Sequence, residues 1–182
     1  MSNLSKLYIP LELEKNHVNR LLAKKMPPIE LRENLKITSL KIDGEGDLFS
    51  LEVQLSGKFN KLLQIHFKPR FDKQSHRLIL DDLNIEMMDK GLLSKGLNWM
   101  MQGVMQHKIE ETIQNQLDEK LQEMVLEYIN KTQKITLPEG LAMELRVQEF
   151  DILKMYFKNS KLLINTEVLG QVSLKSDVEK SV

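Results

Sequence analysis

The sequence contains no cysteine, which excludes disulfide bonds, thiolate metal ligands and cysteine nucleophiles. Its 26 basic and 26 acidic side chains cancel to a formal net charge of zero. A general nucleic-acid binder would carry a marked basic excess, so none is expected. No apolar run approaches the roughly 20 residues that span a bilayer as a helix. What remains is an ordinary globular composition that is poor in aromatic residues and rich in methionine.

The chain shows no sign of division into separate domains. At 182 residues its length suits one domain, and no linker, repeat or low-complexity segment interrupts it. We expect one domain over residues 1–182, with a disordered polar tail at 175–182. The first residues lack the apolar segment of a secretion signal. The expected compartment is therefore the cytoplasm, with the bacterial periplasm or envelope as the alternative if a signal was removed.

Motifs of catalytic and cofactor sites are absent from the sequence. It has no Gly-x-Ser-x-Gly nucleophile motif, no phosphate-binding glycine-rich loop and no His-Glu-x-x-His zinc motif. His107 and Glu110 have the spacing of two metal ligands on a helix, but such a pair supplies only part of a ligand set, and no second pair occurs. We therefore expect no enzymatic activity, no cofactor and no metal.

Residues from Leu35 to Met88 alternate between apolar and polar side chains, as half-buried strands do. Turn sequences at 44–47 and 72–76 divide them, which predicts an antiparallel meander. The alternation changes phase in three predicted strands, after Ile37, Leu80 and Val147. Each break is either a β-bulge or a turn between two shorter strands. Three bulges would produce a strongly curved sheet.

Two helices are expected. The first follows Pro10, with Leu13, Val18 and Leu22 on one face, and a strand at 4–9 precedes it. The second extends from Gly91 to Lys131 and carries an apolar residue at every fourth position. These residues are Met105, Ile109, Ile113, Leu117, Leu121, Val125 and Ile129. Each step of four residues advances the stripe by about 40° around the helix, so a curled sheet could follow it and a flat one could not.

Methionines concentrate where the predicted strands meet the long helix. Half of the ten methionines fall within residues 87–105, beside the single tryptophan. Because methionine adapts to varied apolar partners, the cluster suggests a ligand pocket. Ordinary core packing explains the cluster too, and both interpretations stay open. The predicted pocket residues are Met87, Leu97, Trp99, Met100, Met101, Val104 and Met105.

The segment Lys58–Arg77 is locally basic, with Asp72 as its only acidic residue. It suits weak contact with anionic surfaces such as lipid headgroups. A solvated hairpin whose lysines discourage edge pairing is the simpler interpretation. Because its net charge is zero, the chain exerts no long-range attraction on anionic surfaces, which favours the solvated hairpin.

Several short strings carry a resemblance to known proteins. They are Gly57-Lys58-Phe59, Phe67-Lys68-Pro69-Arg70-Phe71-Asp72, Leu78-Ile79-Leu80-Asp81-Asp82-Leu83, Gly91-Leu92-Leu93 and Leu97-Asn98-Trp99. With the order of elements, they resemble uncharacterised bacterial families, catalogued as domains of unknown function, that look like the tubular lipid-binding (TULIP, BPI-like) superfamily. The resemblance implies an α+β fold, with a long α-helix wrapped by a highly curved antiparallel β-sheet and a short N-terminal helix.

The same resemblance implies a function. It suggests non-catalytic binding of a lipid or another elongated apolar ligand in a groove between the long helix and the curved sheet. The alternative is a protein-interaction or co-chaperone-like module with no ligand cavity. An apolar cavity of hundreds of Å³ would favour ligand binding, whereas an interaction module needs none.

Overall fold

The computed structural model describes residues 4–176 except 26–27, 33, 58–59, 89–103, 132–133 and 138–140. Its helices are α1 (Lys15–Lys25) and α2 (Val104–Lys131). Its strands are β1 (Ser5–Glu14), β2 (Ile29–Arg32), β3 (Leu35–Glu45), β4 (Leu48–Gly57), β5 (Lys61–Asp72), β6 (Arg77–Met87), β7 (Lys134–Leu137), β8 (Leu141–Lys158) and β9 (Lys161–Ser176).

The described strands form two antiparallel sheets. One has the order β2-β3-β4-β5-β6 and is strongly curled into a half-barrel, and the other has the order β1-β9-β8-β7. The expected α+β class, the curled antiparallel sheet and the presence of one long helix are therefore confirmed. Strands β2 and β7 were not predicted from the sequence, and each is only four residues long.

The two sheets meet where the β3–β4 turn contacts β8. Backbone hydrogen bonds join Gly46 and Phe157 in both directions, at 3.0 and 2.7 Å. Phe49 of β4 contacts Phe157 and Phe67, with ring centroids 4.9 and 5.7 Å away. All three rings are buried, and side chains from both sheets and both helices form one continuous apolar core. This junction links the curled sheet to β8 of the second sheet.

The three predicted phase breaks are β-bulges, and the alternative of three turns is wrong. Thr38 is the extra residue in β3, Asp82 and Leu83 together face Phe67 in the β5–β6 ladder, and Gln148 is extra in β8. Strand β8 has a second bulge, at Leu153, which was not predicted. Bulges bend a strand and increase its twist, which is consistent with the strong curl of the β3–β6 region.

The N-terminal prediction needs one correction. Strand β1 continues through Pro10 to Glu14, so Leu13 lies in a strand and α1 begins only at Lys15. Leu11 and Leu13 are both buried, while the residues between and beside them are exposed. Leu13 therefore does not belong to the helical face, because the period of two continues as far as Glu14. The predicted face is correct for Val18 and Leu22, which are both buried on α1.

The apolar stripe of α2 is buried in the core, as predicted. Its members from Ile109 to Ile129 are each at most 6% exposed. The side chain of Met105, and residues 91–103 of the predicted helix, lie outside the described residues. Among the helices described, none is long and apolar enough to cross a membrane.

Two glycines with positive φ differ in the space around them, which gives a matched test. Gly57 (φ 112°) lies where an added Cβ would overlap the Asn34 carbonyl oxygen, whereas nothing lies within 4 Å of the corresponding point at Gly46 (φ 60°). We expect Gly57→Ala to destabilise the protein by about 2–4 kcal/mol and Gly46→Ala by about 1 kcal/mol. Urea denaturation measures both changes, and equal losses would contradict the tight contact between Gly57 and Asn34.

Candidate apolar ligand site

A small cavity lies where α1, α2 and both sheets converge. Its volume is about 30 Å³, and every residue that lines it is apolar. The lining residues are Val18, Leu22, Ile42, Phe49, Phe67, Pro69, Leu78, Leu117, Leu121, Met124, Met155 and Leu162. A space of this size is close to that of a single water molecule, but it offers water no hydrogen-bond partners. The cavity is thus suited to apolar groups.

Helix α1 closes one side of the cavity and is fixed to β3 by a side-chain amide. Asn19 donates a hydrogen bond to the Ile42 carbonyl (3.0 Å) and accepts one from the Ile42 N–H (2.7 Å). Because one amide satisfies both backbone groups, the position of α1 along β3 is well defined. Val18 and Leu22 of α1 and Ile42 of β3 all line the cavity.

An ion pair also ties the start of α1 to β3. Lys15 Nζ lies 2.9 and 3.0 Å from the two carboxylate oxygens of Asp43. This hydrogen bond, with a smaller contribution from the Gly44 N–H, holds the pKa of Asp43 below its usual value. A lowered carboxyl pKa contributes stability at pH values above the unfolded pKa of about 3.9, and that contribution is lost as the pH falls through the folded-state pKa.

The ion pair gives a prediction about pH. In an NMR titration, the Asp43 carboxyl of the wild type should titrate below the usual pH range for aspartate, and Lys15→Met should return it towards about 3.9. The difference in unfolding free energy between wild type and Lys15→Met should then shrink as the pH falls and Asp43 is protonated. An Asp43 pKa unchanged by Lys15→Met would refute the role of Lys15.

The middle of α2 is held to the start of β6 by a group of polar contacts that we call the helix clamp. Its central member, Asp118, is only 7% exposed. One Asp118 carboxylate oxygen accepts hydrogen bonds from the Leu78 N–H (2.8 Å) and the Gln122 amide (3.0 Å). The other lies 3.4 Å from Arg77 Nε. Gln122 also donates to the His76 carbonyl (2.9 Å), and Arg77 donates to Asn115.

The helix clamp adjoins the cavity. Leu78 follows Arg77 and Leu117 precedes Asp118, and both leucines line the cavity. The contacts of Asp118 therefore fix the distance between two walls of the site. The sequence carries one signal for the clamp that was missed, because Gln114, Asp118 and Gln122 repeat at the spacing of the apolar stripe, one residue after it.

His76 connects the β5–β6 turn to the second sheet. Its Nδ1 lies 3.3 Å from an Asp151 oxygen, and its Nε2 lies 3.7 Å from a Glu149 oxygen. These are ion pairs when the imidazole is protonated. His76 therefore touches β8 with its side chain and α2 with its carbonyl, which joins three elements at one turn.

The comparisons with known proteins give one match. A family model described as "Domain of unknown function (DUF4403)" matches residues 2–175. The chain belongs to the DUF4403 family. The expected membership of an uncharacterised domain family is thereby confirmed. No curated protein and no solved structure matches the chain. Because the family description states no function, the function of this DUF4403 chain must be argued from its own geometry.

The predicted pocket residues fall mostly outside the described residues of the DUF4403 chain. Leu97, Trp99, Met100 and Met101 belong to the segment that is not described, as do the side chains of Val104 and Met105. Met87 is described. It lies on β6 opposite Leu63 and packs partly buried against the core, without lining the apolar cavity. The prediction for this group therefore stays a prediction.

Other methionines line the cavity instead. Met124 of α2 and Met155 of β8 are both 7% exposed and lie on different sides of it. They are far apart in sequence, and neither belongs to the methionine cluster that the sequence singled out. Their role depends on which faces of α2 and β8 meet, which no local pattern shows.

The basic segment Lys58–Arg77 is partly neutralised in the DUF4403 fold. Lys68 pairs with Asp82 (3.0 Å) and Arg70 with Asp81 (2.8 Å), both across the β5–β6 ladder. Arg77 is engaged by the helix clamp. The part of the chain that is described holds no group of three or more acidic or histidine side chains placed to bind a metal. Contact of this segment with anionic surfaces stays a prediction.

Proposed function

We propose that this DUF4403 chain binds an elongated apolar molecule, such as a lipid acyl chain, without catalysing a reaction. The observation that carries the proposal is the cavity between α2 and the sheets, whose lining contains apolar residues alone. Leu117 and Leu121 belong both to this lining and to the apolar stripe of α2. An alkyl chain that enters the cavity would therefore meet a continuous apolar surface along the helix.

The position of α2 supports the proposal. Its buried stripe belongs to the same core as the curled sheet and the second sheet. A long helix held by a curled antiparallel sheet is the arrangement that the tubular lipid-binding superfamily uses, and the sequence resembles that superfamily. In this proposal the seam between α2 and the sheets is the ligand groove.

The size of the cavity determines how a ligand would bind. Ligand pockets typically occupy about 300–1,000 Å³, and this cavity has about 30 Å³. Side chains must therefore move before an acyl chain fits. Met124 and Met155 suit this role, because an unbranched thioether side chain changes rotamer readily and packs against varied partners. Binding would then select an opened conformation that is a minor population of the free protein.

A second candidate function is a protein-interaction or co-chaperone-like module. The small cavity volume itself favours it, since such a module works through its surface and keeps its core closed. A surface pocket of about 420 Å³ between α2 and β8 is the place where a partner would fit. Phe71, Leu126 and Phe150 give this pocket an apolar part, and Leu126 is 41% exposed.

Titration with cis-parinaric acid, a fluorescent fatty acid, tests the lead proposal. The wild type should bind it saturably. Val18→Phe should weaken binding by about tenfold or more, equivalent to about 1.4 kcal/mol, because the larger side chain fills the cavity. Val172→Phe is the matched control. Val172 packs against the core but does not line the cavity, so its substitution should leave the affinity within about twofold.

The two outcomes separate the candidate functions. Circular dichroism first establishes that each variant is folded. Absence of saturable binding by the folded wild type would overturn the lipid proposal and favour the interaction module. Equal affinities of wild type and Val18→Phe would show that any bound probe lies outside this cavity, which also contradicts the proposal.

A further inference from the structure

A second pocket, of about 230 Å³, opens on the surface directly beside the apolar cavity. It lies between β5 and β8, and Pro69 and Met155 line both spaces. Its other lining residues are Asp47, Arg70, Phe71, Ile152, Leu153 and Lys154. Since two residues form walls of both, the surface pocket and the apolar cavity are adjacent and share part of their lining.

The strand pairing explains why the surface is open at this place. Strand β4 pairs with β5 only as far as Phe67, so β5 continues beyond its neighbour on that side. Pro69 lies in this free stretch and has no N–H to offer to another strand, which is typical of an unpaired edge. The gap between the curled sheet and β8 is therefore left uncovered by backbone pairing within the described residues.

The unpredicted bulge in β8 builds the opposite wall. Leu153 is the extra residue, so Leu153 and Lys154 both face outward and line the pocket, while Ile152 and Met155 on either side are buried. Bulges are frequent where a strand must re-aim a side chain. Here the bulge turns Lys154 to the rim and returns Met155 to the interior. A flexible methionine thus stands between the pocket and the cavity.

The charges of the pocket favour an anion. Arg70 and Lys154 line it against one carboxylate, Asp47. Arg70 donates from Nε to Asp81, which partly offsets its charge, so Lys154 contributes more of the attraction for an anion. Lys154 Nζ lies 5.4 Å from the Tyr156 ring centroid and makes no ion pair with any carboxylate among residues the structure describes. The hydrogen bond from Lys68 to Asp82 raises the pKa of Lys68, and Asp47 adds a smaller contribution.

We propose that this pocket is the mouth of the ligand site and that the ligand is a single-chain amphiphile with an anionic head, of the fatty-acid type. The alkyl chain passes Met155 into the apolar cavity, and the head stays at the rim beside Lys154 and Arg70. This inference rests on the proposed function and adds to it the entrance and the chemical class of the head.

Comparing cis-parinaric acid with its methyl ester tests the inference, because the two probes share the chain and differ in the charge of the head. At a pH where the acid is ionised, the wild type should bind the acid about tenfold more tightly than the ester. Lys154→Met keeps the length of the side chain but removes its charge, and it should abolish most of this preference. Lys154→Arg should retain it.

Lys158→Met is the matched control. Lys158 is an exposed lysine of the same strand that does not line the pocket, so this change should leave the preference as in the wild type. Inorganic phosphate should not displace the bound acid. Displacement by phosphate would show an anion site that is independent of the alkyl chain, which overturns the inference.

The remaining outcomes distinguish the inference from the proposed function. If the wild type binds acid and ester equally, or if Lys154→Met leaves the preference unchanged, the head does not lie at this mouth. The inference then fails while the proposed function stands. If the folded wild type binds neither probe, the proposed function fails, and the inference fails with it.

Discussion

Leu117→Asp is expected to unfold the protein, whereas Glu119→Ala should leave its stability nearly unchanged. Leu117 is 6% exposed, lies in the middle of the α2 stripe and lines the apolar cavity. A carboxylate there would be buried without a partner, which costs several kcal/mol of a total stability of about 5–15 kcal/mol. Glu119 lies two residues on, faces solvent and forms an ion pair with Lys120, which also contacts Glu123.

Urea denaturation followed by circular dichroism measures both changes. The expected result is no cooperative transition for Leu117→Asp and a midpoint close to that of the wild type for Glu119→Ala, since an exposed ion pair contributes at most about 1 kcal/mol. Equal effects of the two substitutions would refute the burial of the stripe. A cooperatively folded Leu117→Asp would mean that α2 is exposed, which would favour the interaction module.

Asp118→Ala is expected to destabilise the protein by about 2–3 kcal/mol, although aspartate is normally a surface residue. The substitution removes the acceptor of the buried Leu78 N–H and of the Gln122 amide, and it leaves Arg77 without its carboxylate. Donors that lose their partners in a buried site pay the desolvation cost without compensation. Thermal and urea denaturation measure the loss.

Asp81→Ala is the matched control for this prediction. Asp81 also forms an ion pair with an arginine, Arg70, but its side chain is 43% exposed. Its loss should cost no more than about 1 kcal/mol, because water replaces the partner of each group. A similar loss of stability for Asp118→Ala and Asp81→Ala would show that the helix clamp contributes no more than a surface pair.

Periodicity predicted the elements whose burial follows a simple repeat. The stripe from Ile109 to Ile129 and the phase breaks after Ile37, Leu80 and Val147 could be found because a helix or strand must keep its apolar residues on one face. That the breaks are bulges and not turns came from the structure. The bulge at Leu153 could have been found in the same way. Ile152 and Met155 are three residues apart, so they share a face of the strand only if one extra residue lies between them. Short β2 and β7 offered too few residues for a repeat.

The candidate site was harder to predict, because it depends on which faces of the helices and strands pack against one another. Val18 of α1, Leu78 of β6 and Met155 of β8 line one cavity although they are distant in sequence. From the sequence alone, an aspartate such as Asp118 is expected to face solvent. It is buried because the start of β6 packs against α2 and the Leu78 N–H donates to its carboxylate. The methionine cluster at 87–105 is a feature of local composition, whereas the residues that line the cavity come from both helices and from both sheets.

Native mass spectrometry of the freshly purified protein tests the central claim most directly. We predict a population heavier than the 21.2 kDa chain by the mass of one single-chain lipid, which solvent extraction then identifies. Val18→Phe should lose this population, and Val172→Phe should keep it. A folded wild-type protein that shows only the mass of the chain, and that gains no mass when a fatty acid is added, would contradict the claim that the chain binds an apolar ligand.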